Sequence, residues 1–230
     1  MGNTYIRLPS LLLHIKGEPR KETPKSTSKL TQAEVRALFF LISNPDLLTY
    51  SYRKLEPILG VGVATLSKLF SFLKVKGFIN PDVRPFSFEN LEELKDFWIA
   101  SYGETLKPRL LRGRFRFSKN GGSRSWETWE LGKEVLWSGE AALARISDYY
   151  LPGEWEIYTS LPTIELIKRY RIIPDSEGAI GVYQKFWNEA ANLSLNIPSL
   201  APDLLIEADI KLGGKARASQ IFRDRYAQHA

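Results

Sequence analysis

Between Tyr52 and Leu69 the chain carries a pattern that leaves few folds open to it. Counting Tyr52 as the first position, apolar residues fall at the fourth, eighth, tenth, fifteenth and eighteenth places (Leu55, Leu59, Val61, Leu66 and Leu69), and Gly60 holds the ninth. Two helices that cross steeply bury such positions against each other, and the turn between them needs a left-handed residue that glycine adopts at little cost. The spacing predicts a helix-turn-helix, and Gly77-Phe78-Ile79 just beyond it supplies the tight exit into a strand that a winged version requires. Two residues oppose the pattern. Pro57 lacks a donor and clashes with the preceding turn at roughly 3 kcal/mol, so the first helix either starts late, near Lys54, or is kinked. Glu56 stands where the helix contact usually has a small residue.

The flanks extend this reading. Thr31 and Glu34 form a capping box ahead of Val35, Leu38, Phe39, Leu41 and Ile42, and Asn44-Pro45 ends that helix. Ser51 can cap a second helix through Leu59. The third spans Val63 to Lys76 and closes on Gly77. Val83 to Phe88 completes a hairpin-like segment, and Asn90 can cap a helix from Leu91 to about Tyr102. Residues 4–16 favour one or two short strands, and 17–29 read as a basic, proline-containing linker. Later, Leu110–Phe117, Trp155–Ser160, Ala179–Phe186 and Leu204–Ile210 read as strands. Gly139–Tyr150 and Lys215–Gln228 read as helices. The expected class is α+β: an N-terminal winged helix-turn-helix over 29–118, after a segment over 1–28, then a mixed α/β C-terminal domain over 119–230.

Composition narrows the chemistry. The chain has no cysteine, and His14 and His229 are its only histidines, so histidine triads and cysteine or histidine metal sites are excluded. No metal or cofactor is expected, nor any enzymatic activity. The longest apolar stretch, Ala37 to Ile42, falls far short of the roughly 20 residues of a membrane span. With no apparent signal peptide, the chain is expected to be soluble, cytoplasmic and without a membrane partner. Residues 1–118 hold nineteen lysines and arginines against eleven acids; the remainder holds thirteen against fifteen. A basic half joined to a near-neutral half points the first towards a polyanion.

If the third helix enters the major groove of double-stranded DNA, the residues facing base edges are Ala64, Thr65, Ser67, Lys68 and Ser71. Arg53, Lys74, Lys76 and Arg84 are placed to meet phosphates. Arg112, Arg114 and Arg116 alternate, so a regular strand would set all three on one face. They either extend the phosphate surface or serve a solvated edge strand or carboxylates of the second domain. Trp126, Trp129, Trp137, Trp155 and Trp187 could stack on bases, but tryptophans of this kind are expected in a core.

Leu41-Ile42-Ser43-Asn44-Pro45-Asp46-Leu47-Leu48, Tyr52-Arg53, Gly60-Val61, Thr65, Trp98-x-x-x-Tyr102 and Lys107-Pro108-x-Leu110-Leu111-x-Gly113-Arg114-Phe115 follow one another in a distinctive order. Leu136-Trp137-Ser138-Gly139-Glu140-Ala141-Ala142, Leu151-Pro152, Ile157-Tyr158 and Ala218-x-x-Ile221-Phe222-x-x-Tyr226 continue it. Across nearly its whole length the chain resembles the AbiEi-type antitoxins of type IV toxin–antitoxin systems. The resemblance implies a transcriptional repressor that binds repeats upstream of its own operon. It also implies a nucleotidyltransferase toxin as functional partner, opposed without need of a stable complex. Repeated operators would suit a homodimer. In longer relatives a domain resembling restriction nucleases precedes the segment Gly2–Pro9, and this chain is expected to lack it. Residues 119–230 are expected to carry antitoxicity or oligomerisation.

Two rival readings remain at this level. One is a plasmid replication initiator, a class that also pairs a winged helix with a second α/β domain. A magnesium-dependent nuclease would use Asp175 with Asp209 and Lys211, although Pro-Asp and acid-x-Lys recur elsewhere in the chain by chance.

Overall fold

A computed structural model of the chain describes residues 4–8, 11–15, 29–118, 125–129, 131, 134–147, 149–188 and 199–226. Most of the 17–29 linker lies outside them. Strands β1 (Thr4–Leu8) and β2 (Leu11–Ile15) pair antiparallel, with Thr4 opposite Ile15. Helix α1 (Gln32–Ser43) starts on the expected capping box: the Glu34 amide donates to Thr31 Oγ1 at 3.3 Å, and the Thr31 amide to Glu34 Oε2 at 2.8 Å. A 3-10 turn over Pro45–Thr49 leads to α2 (Tyr52–Leu59), and α3 (Val63–Val75) follows at 107° to it.

All six patterned positions behave as the spacing requires. Leu55, Leu59, Val61, Leu66 and Leu69 are buried, and Gly60 takes φ +63°. Pro57 neither delays nor ends α2, which begins at Tyr52. Ser51 and Asn90 stand at their N-cap positions without a side-chain cap bond. Beyond α3 the chain turns at Gly77, and the two arms that follow meet at a single antiparallel bridge, Ile79 to Phe88.

Helix α4 (Leu91–Ser101) runs through a π-helical turn (Tyr102–Leu106) into the short α5 (Lys107–Leu110). The widened turn precedes Pro108, which removes one ladder bond and crowds the carbonyl four residues back. Strand β3 (Leu111–Arg116) follows at once. The rest is β4 (Val135–Ser138), α6 (Gly139–Ile146), β5 (Trp155–Thr159), α7 (Thr163–Tyr170), β6 (Ile173–Pro174), β7 (Ile180–Gln184), α8 (Asp203–Leu212) and α9 (Ala216–Tyr226). The five strands form a mixed sheet in the order β4-β5-β7-β3-β6, parallel only between β5 and β7. The class is α+β.

Three expectations change here. Leu204–Ile210 is not a strand but most of α8. Leu204, Leu205, Ile206, Ala208, Asp209 and Ile210 are all buried, and a helix buried all round shows an apolar run indistinguishable by period from a buried strand. Strand β3 lies inside the C-terminal sheet, between β7 and β6, and so pairs with strands beyond residue 119. The core is also continuous across the chain: Phe39 of α1 packs on Trp98 at 5.5 Å and on Phe186 at 5.1 Å between ring centroids, and Trp98 stacks on Tyr102 at 5.0 Å. The tryptophans are core: Trp126, Trp137, Trp155 and Trp187 are buried, and Trp129 stacks on Trp137.

The α2–α3 turn yields a paired test. Gly60→Ala forces a Cβ into a left-handed conformation and should cost about 1 kcal/mol in denaturant unfolding. Gly62→Ala, at φ −67° with its nearest neighbouring atom 3.9 Å from the added carbon, should stay within about 0.5 kcal/mol of the parent chain.

Candidate nucleic-acid interface

Helix α3 separates its faces cleanly. Leu66, Leu69, Phe70 and Leu73 recur at three- and four-residue steps and are buried, whereas Ala64, Ser67, Lys68 and Ser71 lie exposed on the opposite side. Thr65 is half-buried at the border, and the Ser71 hydroxyl donates back to the Ser67 carbonyl at 2.8 Å. Val63, at the start of the helix, is 37% exposed and sits beside these residues, which the motif alone did not mark. The structure brings all five expected base-facing residues onto one helix, at its solvent side or rim.

Of the expected phosphate contacts, Arg53 on α2 and Lys76 at the C-cap of α3 are exposed, and Lys74 is half-buried in the last turn of α3. Arg84 lies on the arm after α3. Its Nη1 donates to the carbonyls of Pro81 at 2.8 Å and Val83 at 2.9 Å, which ties the arm's tip. The guanidinium lies 3.6 Å from the Phe86 ring centroid, and Lys74 Nζ lies 4.7 Å from the same ring. Phe86 packs on Phe70, and Phe70 on Tyr52. Burial raises the Tyr52 phenol above its ordinary value against the opposing pull of Arg84.

The three arginines of β3 go elsewhere. The register of β3 against β7 shifts between Leu111 and Gly113, a bulge at Arg112 that breaks the alternation. Arg112 donates to the Leu161 carbonyl and to Gln184, Arg114 to the Gly178 carbonyl at 3.0 Å, and Arg116 pairs with Asp175 at 3.3 Å. Each has a partner within the C-terminal half, while Arg114 and Arg116 keep 37% and 43% of their side chains exposed. Of the three, Arg114 and Arg116 reach carboxylates of the second half, Glu154 at 4.0 Å and Asp175 at 3.3 Å, on an interior rather than an edge strand.

Sequence reasoning missed a buried charged cluster on the face of that sheet that Glu156 and Tyr158 present to α8. Alternation along β5 turns Trp155 and Ile157 to one face and Glu156 and Tyr158 to the other, where α8 brings Asp209. Asp209 accepts from Ser138 Oγ at 2.6 Å and from Tyr158 at 3.1 Å, and pairs with Lys107 at 2.8 Å. Lys107 also pairs with Glu156 at 2.6 Å, and the Tyr102 and Tyr158 hydroxyls are bonded to each other. Burial alone would lower the Lys107 ammonium, but Asp209 and Glu156 outweigh it and the net shift is upward. Burial first, then Asp209, pushes Tyr102 and Tyr158 well above the ordinary phenol range, so both are neutral donors. Glu156 is pushed up to about 7 by burial and by Asp209, against the pull of Lys107. Beside the cluster lies a cavity of about 390 Å³ that also reaches Glu140, Glu154 and Arg114. No local motif announces this cluster, because its charges come from α5, β5 and α8.

The rival carboxylates do not share a site: Asp175 pairs with Arg116, whereas Asp209 is held by Lys107, Ser138 and the tyrosines. Lys211 is bound to Asp96 and Glu207. Among the described residues no group of three or more acids or histidines is arranged to hold a metal ion, and no single helix is long and apolar enough to cross a membrane.

The profile of a family described as transcriptional regulators, the AbiEi antitoxins of type IV toxin–antitoxin systems, matches residues 88–228. The match covers more than half of the chain, from the closing arm after α3 through α9, and the chain belongs to this family. No curated protein and no solved structure gives a significant match.

The Glu156 shift has a testable sign. Between its ordinary 4.5 and about 7 the folded chain holds a proton that the unfolded chain has lost, so this group's stabilisation is complete at low pH and declines as pH rises through 7. Denaturant midpoints should fall between about pH 4.5 and pH 7, and Glu156→Gln should flatten that fall. An identical decline in both chains would contradict the assignment.

Proposed function

We propose that this chain is a DNA-binding repressor and antitoxin that reads its operator through a winged helix-turn-helix formed by α2, α3 and the arm over residues 77–88. The observation that carries the reading is the face of α3. A row of small polar and basic side chains lies exposed over a buried apolar row, on a helix set at 107° to α2 by a glycine turn. In that reading Ala64, Thr65, Ser67, Lys68 and Ser71 meet base edges, while Arg53, Lys74, Lys76 and Arg84 meet phosphates. Membership of a regulator family supports it, and the surplus of positive charge before residue 119 supplies a polyanion-directed field. Repeats upstream of its own operon are the proposed operator, two copies of the chain the proposed binding unit, and a nucleotidyltransferase toxin the proposed functional partner. The arginines of β3 are assigned to the sheet and not to DNA.

Binding to duplex from the operon's upstream region, measured across a range of salt, tests the reading. Thr65→Ala and Ser67→Ala should each cost roughly 1–3 kcal/mol per well-made base contact on the operator and spare unrelated duplex. Lys76→Ala and Arg53→Ala should weaken binding to both duplexes and lower the slope of log K against log salt by about 0.9 per lost phosphate contact. Arg112→Ala should leave affinity and slope unchanged. If Arg112→Ala weakened binding while Ser67→Ala and Lys76→Ala did not, the interface would lie on the sheet and the proposal would fall.

A further inference from the structure

Two cations lie against the ring of Phe86. Lys74 reaches the ring from α3 and Arg84 from the arm, at 4.7 Å and 3.6 Å from its centroid. Among the described residues, no carboxylate lies within ion-pair distance of either side chain. Two like charges held against one ring repel each other, and the ring's negative face only partly offsets this. The ring is itself fixed: it packs on Phe70, centroids 5.9 Å apart, and Phe70 lies in the apolar face of α3. Arg84 is restrained from its other side by two backbone carbonyls, which occupy one amino group of its fork. Both cations are therefore held in place rather than left to wander on long stems, and what they lack is an anion.

From this geometry we infer that Phe86 is a positioning residue, setting Lys74 and Arg84 as a two-point clamp on a backbone phosphate of duplex DNA beside the reading helix. The inference rests on the DNA-binding reading above. It gives the arm a definite task, since a phosphate reached by both cations relieves their repulsion and releases a condensed counterion. The clamp carries no sequence information. It sets the depth and register at which α3 meets the bases.

The experiment uses the full chain, operator duplex, unrelated duplex and a salt series. Phe86→Leu keeps the apolar volume but removes the ring's charge distribution. It should weaken binding to both duplexes about three- to tenfold and lower the salt slope by about one. Phe86→Tyr should restore both. Because Phe86→Leu could disturb packing on Phe70, the deciding measurement is made in the Lys74→Gln/Arg84→Gln background, whose changes spare the core. There, Phe86→Leu should cause no further loss of affinity or slope. An equal loss in that background, or a failure of Phe86→Tyr to restore the slope, would show a merely structural role and overturn the inference. An unaltered slope in Phe86→Leu would do the same. A parent chain that bound neither duplex would instead remove the DNA-binding reading itself.

Discussion

The ammonium of Lys107, held between Asp209 and Glu156, joins the three parts on which the fold is assembled: the end of the α4–α5 helical run, the middle of the sheet and helix α8. Taking such charges out of water costs several kcal/mol per ion, and attraction offsets this only when the remaining lone pairs are also bonded. Ser138, Tyr102 and Tyr158 meet that condition at Asp209. Glu156 meets it differently, by a raised affinity for a proton. An arrangement needing this many partners tolerates one relative placement of α5, β5 and α8. Gly103 allows α8 that close, since a Cβ there would meet Leu212 at 2.6 Å.

The same helical run supports α3. Trp98 and Tyr102 lie one turn apart on it, and through Phe39 they join α1, on which α2 and α3 pack, to Phe186 and Trp187 beyond β7. Trp98 Nε1 donates to the Val35 carbonyl at 2.9 Å, so the seam has a polar anchor within an apolar contact. α3 is thus mounted on the sheet domain through a shared core rather than tethered by a linker. In a regulator, that mounting transmits a fixed orientation from one half to the other. In the basic run at residues 107–116, Lys107, Arg112, Arg114 and Arg116 have partners within the chain, whereas Arg109 is exposed.

Local physics alone determined a good part of this protein. The capping box at Thr31, the buried positions of α2 and α3 and the left-handed turn at Gly60 follow from side-chain period and backbone sterics within about twenty residues, so they were legible in the sequence. Period also identified which residues of α3 face outward. It did not identify the exposure of Val63 or the cations against Phe86, which depend on what stands beside them. Only the tertiary structure decided that Leu204–Ile210 is a helix, because burial on every side erases the period that distinguishes helix from strand. It alone decided which groups Arg112, Arg114 and Arg116 bond, since strand order and a bulge, not spacing, choose an arginine's partner. The Lys107–Glu156–Asp209 cluster is the extreme case. Its members are 49 and 53 residues apart along the chain, and a charge has no preference for a distant partner until packing removes water from both.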